Sequence, residues 1–371
     1  MAISEAYRPG LEGVIAAETG ISYLDVEHEQ IVVRGYDLIE LANTKRYLDV
    51  VFLLWNRNLP TEEERERLEQ TLAENLSLPD GVLDVLRSLP QRTHPMDALR
   101  TGLSALAGYD PLLDDRSAQA NREKGARILA RMPHLVANGY HILQGERPVM
   151  PAPDLSFSAN FLYMITGRRP TALEEAVFDQ SLIVYSEHEM PNSTFAARVI
   201  SSTQSDIYGA LTGAVASLKG SLHGGANEAV MRMLEQVQTA DQLEQEMKRR
   251  LAQKERIMGF GHRVYMRRPD PRALLMKEAL KKLVGESGNR EILEICERGE
   301  AVMYQEKGLY PNLDYYAAPV YYLLGIPIPL YTPVFFAART AGLVAHVMEQ
   351  HDHNRLFRPR VHYTGPRGLR P

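Results

Sequence analysis

From Ala317 to Ala338 the chain carries no charged residue. The stretch is long enough to cross a bilayer, yet it holds Pro319, Pro327, Pro329, Pro333 and Gly325. Prolines at that density break a helix into short pieces. Such a segment reads as buried, bent backbone joining two parts of one protein, and the rest of the chain must supply a core around it. With 371 residues, 44% apolar and 24% charged, there is material for one large domain or two unequal ones.

The surrounding patterns are helical. Leu48, Val51, Phe52 and Trp55 share one helix face, closed before Pro60. Thr61 with Glu64, and Thr171 with Glu174, are capping boxes, the second opening a helix over 172–187. Pro95 starts a helix striped by Leu99, Leu103 and Leu106. A polar loop is expected over 110–122, then a helix around 124–131. Residues 155–166 and 334–350 also read as helix. Gly209, Ala210, Gly213, Ala214 and Ser217 bring small residues together on adjacent turns, which suits a tight core or a helix contact between subunits. The strand signal is confined to Ile31 and Val33 before Arg34-Gly35. That is too sparse for a parallel sheet, so the fold class is mainly α. Flanking glycines and prolines divide the chain into a large helical domain, 1–219 plus 322–371, and an inserted smaller helical domain, 220–321.

The net charge of −5, from 42 basic and 47 acidic residues, argues against a nucleic-acid binder. The lone cysteine, Cys296, excludes an intrachain disulfide and suits a reducing, cytoplasmic setting. No secretory leader is evident, and no membrane association is expected. His346, His351 and His353 lack the spacing and acidic or thiol partners of a metal set.

Three loops carry the candidate chemistry. In Lys219–Met231, KGSLHGGANEAVM, His223 precedes two glycines and a helix start. An imidazole there can donate to a carbonyl oxygen on which charge develops, although a merely structural turn reads the same way. In Ile257–Arg272, IMGFGHRVYMRRPDPR, His262 follows Gly259 and Gly261, and Arg263, Arg267, Arg268 and Arg272 come next. Asp270-Pro271 reads as helix cap and first turn, and the arginines suit carboxylate or phosphate ligands, or form a solvated basic turn. A nucleotide-binding fingerprint is missing its third glycine and its strand. In Leu309–Tyr316, LYPNLDYY, Asp314 is a lone carboxylate among aromatic residues. It is either a cap or a base strengthened by desolvation. His188, in SEHEMPNSTF, breaks the pattern between two helices, and Arg339 interrupts the apolar FFAARTAGL. No nucleophile elbow or Walker loop is present. The set suits proton abstraction beside a carbonyl, with a dianion held by arginines.

SLHGGANEAV, IMGFGHRVY with DPRA, PNLDYY and NRLFRPR, in this order and over nearly the whole chain, resemble the citrate synthase family. The resemblance implies a dimer of two-domain helical subunits with a site in the cleft between domains. It implies condensation of an acyl-CoA with oxaloacetate, followed by thioester hydrolysis, without metal or redox cofactor. By the same resemblance Asp314 removes the α-proton, His223 stabilises the enol and His262 polarises or protonates the ketone. His188, Arg272 and Arg339 hold oxaloacetate, and Arg358 reaches the neighbouring subunit's site. Arg267 or Arg268 contacts the CoA phosphates. The ten-residue step from His262 to Arg272 is one longer than the family's usual nine, and Pro191 stands where many members have another residue. These features are most similar to the branch of 2-methylcitrate synthases, which accept propionyl-CoA and often acetyl-CoA. One methyl group in an apolar pocket discriminates by only ~1–3 kcal/mol. The competing reading is a catalytically silent helical scaffold or binding protein of the same fold, for which three intact catalytic positions are superfluous.

Overall fold

In the computed structural model, which describes residues 7–262, 265 and 268–371, the charge-free stretch is indeed bent and buried. It forms the helix Leu313–Leu323, a short 3-10 turn Ile328–Leu330 and the start of the helix Tyr331–Asp352. The last is the axis of the molecule. Among the described residues, Ile328–Asp352 is the one span long and apolar enough to cross a membrane, and 83% of its apolar window is buried within the protein. Helices Tyr47–Asn56, Ala118–Pro133, Ala172–Ser186, Asn192–Ser201 and Ile207–Leu218 pack around it. Some approaches depend on a missing Cβ: one at Gly125 would lie 2.6 Å from Val344 Cγ1. Trp55 Nε1 and the Tyr47 hydroxyl, both buried, donate to the Ala341 and Ala338 carbonyls of the axis, each at 2.9 Å.

Helix ends follow the local signals closely. Both capping boxes form, at Thr61/Glu64 and Thr171/Glu174. The expected polar loop is shorter than the sequence suggests. The helix begins at Ala118, because Ser117 caps it, and runs through Pro133 into a π-turn at His134–Asn138. Asp110, read as loop, is buried and paired with Arg127 at 2.9 Å. Of the two readings of the small-residue stretch, Gly213 shows close packing inside the chain: a Cβ there would meet Ile200 Cδ1 at 2.1 Å.

The strand signal is one arm of a three-stranded antiparallel sheet, β1 Ser22–Asp25, β2 Gln30–Val33 and β3 Tyr36–Asp37. Arg34 and Gly35, at φ of 49° and 89°, make the two-residue turn between β2 and β3. The register pairs Ser22 with Val33.

Between Ala226 and Leu323 the helices pair chiefly with one another. Ala240–Ala252 lies on Arg290–Lys307, and both Ala226–Leu234 and Pro271–Ser287 lie on Leu313–Leu323. Gly299 leaves room for the Tyr315 hydroxyl, which donates to the Cys296 carbonyl at 2.8 Å. The tail beyond His353 forms no helix or strand and is largely exposed.

Candidate active site

Two of the three loops singled out in the sequence, 257–272 and 309–316, are joined by backbone hydrogen bonds that no local pattern announces. Gly261 N donates to the Tyr310 carbonyl and Asn312 N to the Gly259 carbonyl, each at 2.9 Å, with a bridge between Phe260 and Pro311. Gly259 has φ of 89°, and a Cβ there would lie 2.6 Å from Val230, so the pairing needs glycine twice over. His262 and Asp314 are thereby carried on one rigid unit. Asp270 tightens it further. Its carboxylate caps the helix at Arg272 N, grips the Arg272 side chain at 3.1 and 2.8 Å, and accepts Leu313 N at 3.2 Å. The expected cap is therefore also the anion of a buried ion pair.

Asp314 stands in the first turn of its helix, capped by Asn312. Desolvation raises its pKa above the ordinary carboxylate value, against the pull of the Tyr185 hydroxyl, Arg272 and Arg339. Tyr185 donates to Oδ1 at 2.8 Å. A carboxylate in that setting is a stronger base than one in water.

His223 follows a turn in which Gly224 has no space for a Cβ, since one would lie 2.2 Å from the Leu218 carbonyl oxygen. Its Nε2 accepts the Ser193 backbone N–H at 3.1 Å and lies 2.8 Å from the Ser193 hydroxyl. Because an amide can only donate, the ring proton of the neutral form is assigned to Nδ1. Burial first, and then Arg339, lower its pKa to about 4, so the ring is a neutral donor at physiological pH.

His262 is likewise held neutral, at about 4, by burial and the nearby Arg272 charge. Its Nδ1 lies 3.3 Å from the Tyr265 N–H and its Nε2 3.2 Å from Arg272 Nη2, and the ring accepts one or the other according to its tautomer.

His188 meets the His262 ring edge-on, centroids 5.2 Å apart. Its Nε2 is buried with no hydrogen-bond partner among the described residues. Burial, Arg272 and Arg339 push its pKa well below the ordinary value. Arg339, buried on the axis helix, donates from Nε to the Tyr185 carbonyl at 2.6 Å and lies 4.8 Å over the Phe335 ring. It forms no ion pair among the described residues, and desolvation lowers its pKa to about 10. Two buried guanidiniums and an imidazole nitrogen without a partner among the described residues thus lie in one cluster, a donor set suited to an anionic oxygen ligand.

Six expected residues, His188, His223, His262, Arg272, Asp314 and Arg339, thus form one cluster. Arg358 is not in it. Among the described residues its side chain bonds its neighbour's carbonyl, at Pro359, and it lines a separate groove of about 1360 Å³ with Thr19, Arg198 and Glu349. Arg268 is exposed and pairs with Glu29 at 3.2 Å, while Arg267 and Arg263 lie outside the described residues. His346 is a structural residue: Arg198 Nε donates to its Nδ1 at 3.0 Å, and its Nε2 reaches Glu187 at 3.1 Å. Sequence reasoning missed Tyr185 and Ser193. Tyr185 lies one helical turn before His188, which was its only signal, and Ser193 had none.

The family model for the C-terminal domain of citrate synthase matches residues 10–360. A citrate/2-methylcitrate synthase of Bacillus subtilis is 63% identical over 97% of both chains. A citrate synthase of Heyndrickxia coagulans is 60% identical over 100% of this chain and 99% of its own. The citrate synthase of Thermoplasma acidophilum, solved in ternary complex with carboxymethyl coenzyme A and oxaloacetate, superposes with a TM-score of 0.92 at 31% identity, covering 99% of this chain and 98% of its own. Sequence motifs, helical architecture and these likenesses converge, and the chain belongs to the citrate synthase family.

Proposed function

We propose that this chain is an acyltransferase that condenses acetyl-CoA or propionyl-CoA with oxaloacetate, giving citrate or 2-methylcitrate plus CoA. The observation that carries the residue assignment is the cluster itself: a desolvated acid, two neutral imidazoles and two buried arginines around an unpartnered His188 nitrogen. Asp314 takes the α-proton of the acyl thioester. His223 donates from Nδ1 to the thioester oxygen as negative charge develops there. The enol carbon attacks the ketone carbon of oxaloacetate, whose oxygen receives the Nε2 hydrogen bond of His262. Water then cleaves the thioester and releases CoA. His188, Arg272 and Arg339 hold the oxaloacetate carboxylates, and charge-assisted pairs suit that task. Thiol release from acetyl-CoA and propionyl-CoA, followed with a thiol reagent, tests the reading. Release that depends on oxaloacetate supports it. No release, or release indifferent to oxaloacetate, overturns it, the latter pointing to a thioesterase.

Residues 220–321 act as a small domain that closes on oxaloacetate, because Arg272 on one side of the division and His188 and Arg339 on the other then share one dianion. Scattering profiles that stay unchanged at saturating oxaloacetate would sink this. The active unit is a homodimer in which Arg358 completes the neighbour's site. What supports this is that Arg358 lines a groove to which none of the cluster residues contributes, and that the tail carrying it is exposed. Mixed Arg358→Ala and Asp314→Asn subunits should regain activity, towards about a quarter of wild type for random exchange. A mixture that stays inactive despite proven exchange places Arg358 within its own subunit.

A further inference from the structure

The segment that presents His188 is short and conformationally unusual. The helix ends at Ser186, Glu187 is extended with φ of −149°, and Glu189 is left-handed with φ of 59°. A left-handed non-glycine residue persists only where its surroundings hold it. Here the hold comes from the sheet. Ser22 on β1 accepts the Glu189 N–H at 2.9 Å and donates to Glu187 Oε1 at 2.8 Å, so one buried hydroxyl grips the residues on both sides of His188. Glu187 is itself fixed from behind by His346, at 3.1 Å, which is oriented in turn by Arg198. There is no slack beside it, since a Cβ on Gly342 would lie 2.0 Å from Glu187 Oε2 and 2.6 Å from the Ser186 carbonyl oxygen.

We infer that Ser22 is a positioning residue for oxaloacetate: its hydroxyl holds the strained Glu189 backbone and so sets the His188 ring beside His262 and Arg339. The inference rests on the reading that His188 binds oxaloacetate. Ser22 touches no substrate. Without its clamp the Glu189 backbone relaxes toward negative φ, and the ring before it turns away. The acid and His223 lie on other elements and are left in place.

The test uses full-length enzyme already shown to turn over acyl-CoA in an oxaloacetate-dependent way. Absence of that activity in the wild type would be a failure of the proposed function, not of this inference. Ser22→Ala, which removes both hydrogen bonds of the clamp, is expected to raise the oxaloacetate KM about tenfold as the backbone strain is released, with the acyl-CoA KM within about twofold. Glu189→Gly alone should leave both constants near wild type, because glycine adopts positive φ without cost. Added to Ser22→Ala, it should recover much of the lost oxaloacetate affinity, whereas Glu189→Ala, which keeps the strain, should not. Loss through general packing damage has no reason to be rescued by removing a side chain elsewhere. Should Ser22→Ala fail to fold, Ser22→Cys keeps the volume and weakens both bonds, and the same rise and rescue are expected. An unchanged oxaloacetate KM in the folded variant, or a rise that Glu189→Gly does not reverse, overturns the inference.

Discussion

Two buried polar clusters lie along the helix Tyr331–Asp352, and they are finished differently. Near its C-terminal end Arg198 is almost fully enclosed. It ion-pairs with Glu349, bonds His346 and Gln350, and through His346 reaches Glu187. One buried oxygen is left over there, Glu187 Oε2. Earlier on the same helix Arg339 is equally buried but, among the described residues, is held by a carbonyl and a ring and forms no ion pair. Beside it the His188 Nε2 has no hydrogen-bond partner among the described residues. A buried charge costs several kcal/mol unless its surroundings compensate it, typically ~3–5 kcal/mol when a partner is removed. The first cluster is compensated by the protein. The second is not, and that difference distinguishes the two arginines when burial cannot.

The contrast is sharpest at the acid. Asp314→Asn keeps the shape and the Tyr185 hydrogen bond but removes the base, so kcat should fall about 10²–10⁴-fold with an unchanged or higher melting temperature. Near-normal kcat in a folded variant would remove Asp314 from its role.

Next come the two arginines, whose effects should fall on different measurements. Arg339→Gln should raise the oxaloacetate KM by about 30- to 1000-fold, as truncation of a buried charge partner does, with little change in thermal stability. Arg198→Met should lower stability by ~3–5 kcal/mol, seen in denaturant unfolding, with a far smaller change in oxaloacetate KM. If both variants lose stability and affinity alike, the division between the clusters fails.

Acidification probes the second cluster from another side. His223 and His262 have folded pKa values of about 4 against about 6.5 in the unfolded chain. Between those limits the unfolded state binds more protons, so stability is retained above pH 6.5 and declines as pH falls toward 4. His134, His188 and His351 shift in the same direction, so His223→Gln should reduce the slope of melting temperature against pH without abolishing it. An identical slope in that variant would mean that His223 is not kept neutral by the fold.

The smallest effect is expected at Tyr185. Its hydroxyl lowers the Asp314 pKa against the dominant desolvation. Tyr185→Phe should move the acid limb of kcat to higher pH and cost about fivefold in rate, one hydrogen bond's worth. A shift to lower pH would contradict the hydrogen-bond direction.

The helices and their ends were legible because they are local. Thr61, Thr171 and Ser117 act on amides within four residues, although the weak periodicity of 118–123 hid the start of that helix. His223, His262 and Asp314 were legible as unusual residues in glycine- or aromatic-rich loops. What joins them was not. The pairing of 259–261 with 310–312 is backbone to backbone and leaves no side-chain signature, and Ser22 meets Glu187 across 165 positions. Asp270 looked like a cap because the cap pattern is local, while its grip on Leu313 depends on the folded chain.

Tyr185 serves the cluster through two chemically independent parts, the hydroxyl that reaches Asp314 and the main-chain oxygen that holds Arg339. Every amino acid brings the same main-chain oxygen. A library randomised at this single codon would therefore vary the surroundings of the base while all its members inherit the guanidinium's anchor. The position is an adjustable point in an otherwise interlocked cluster, where the setting of the Asp314 carboxylate can change while the Arg339 anchor is kept.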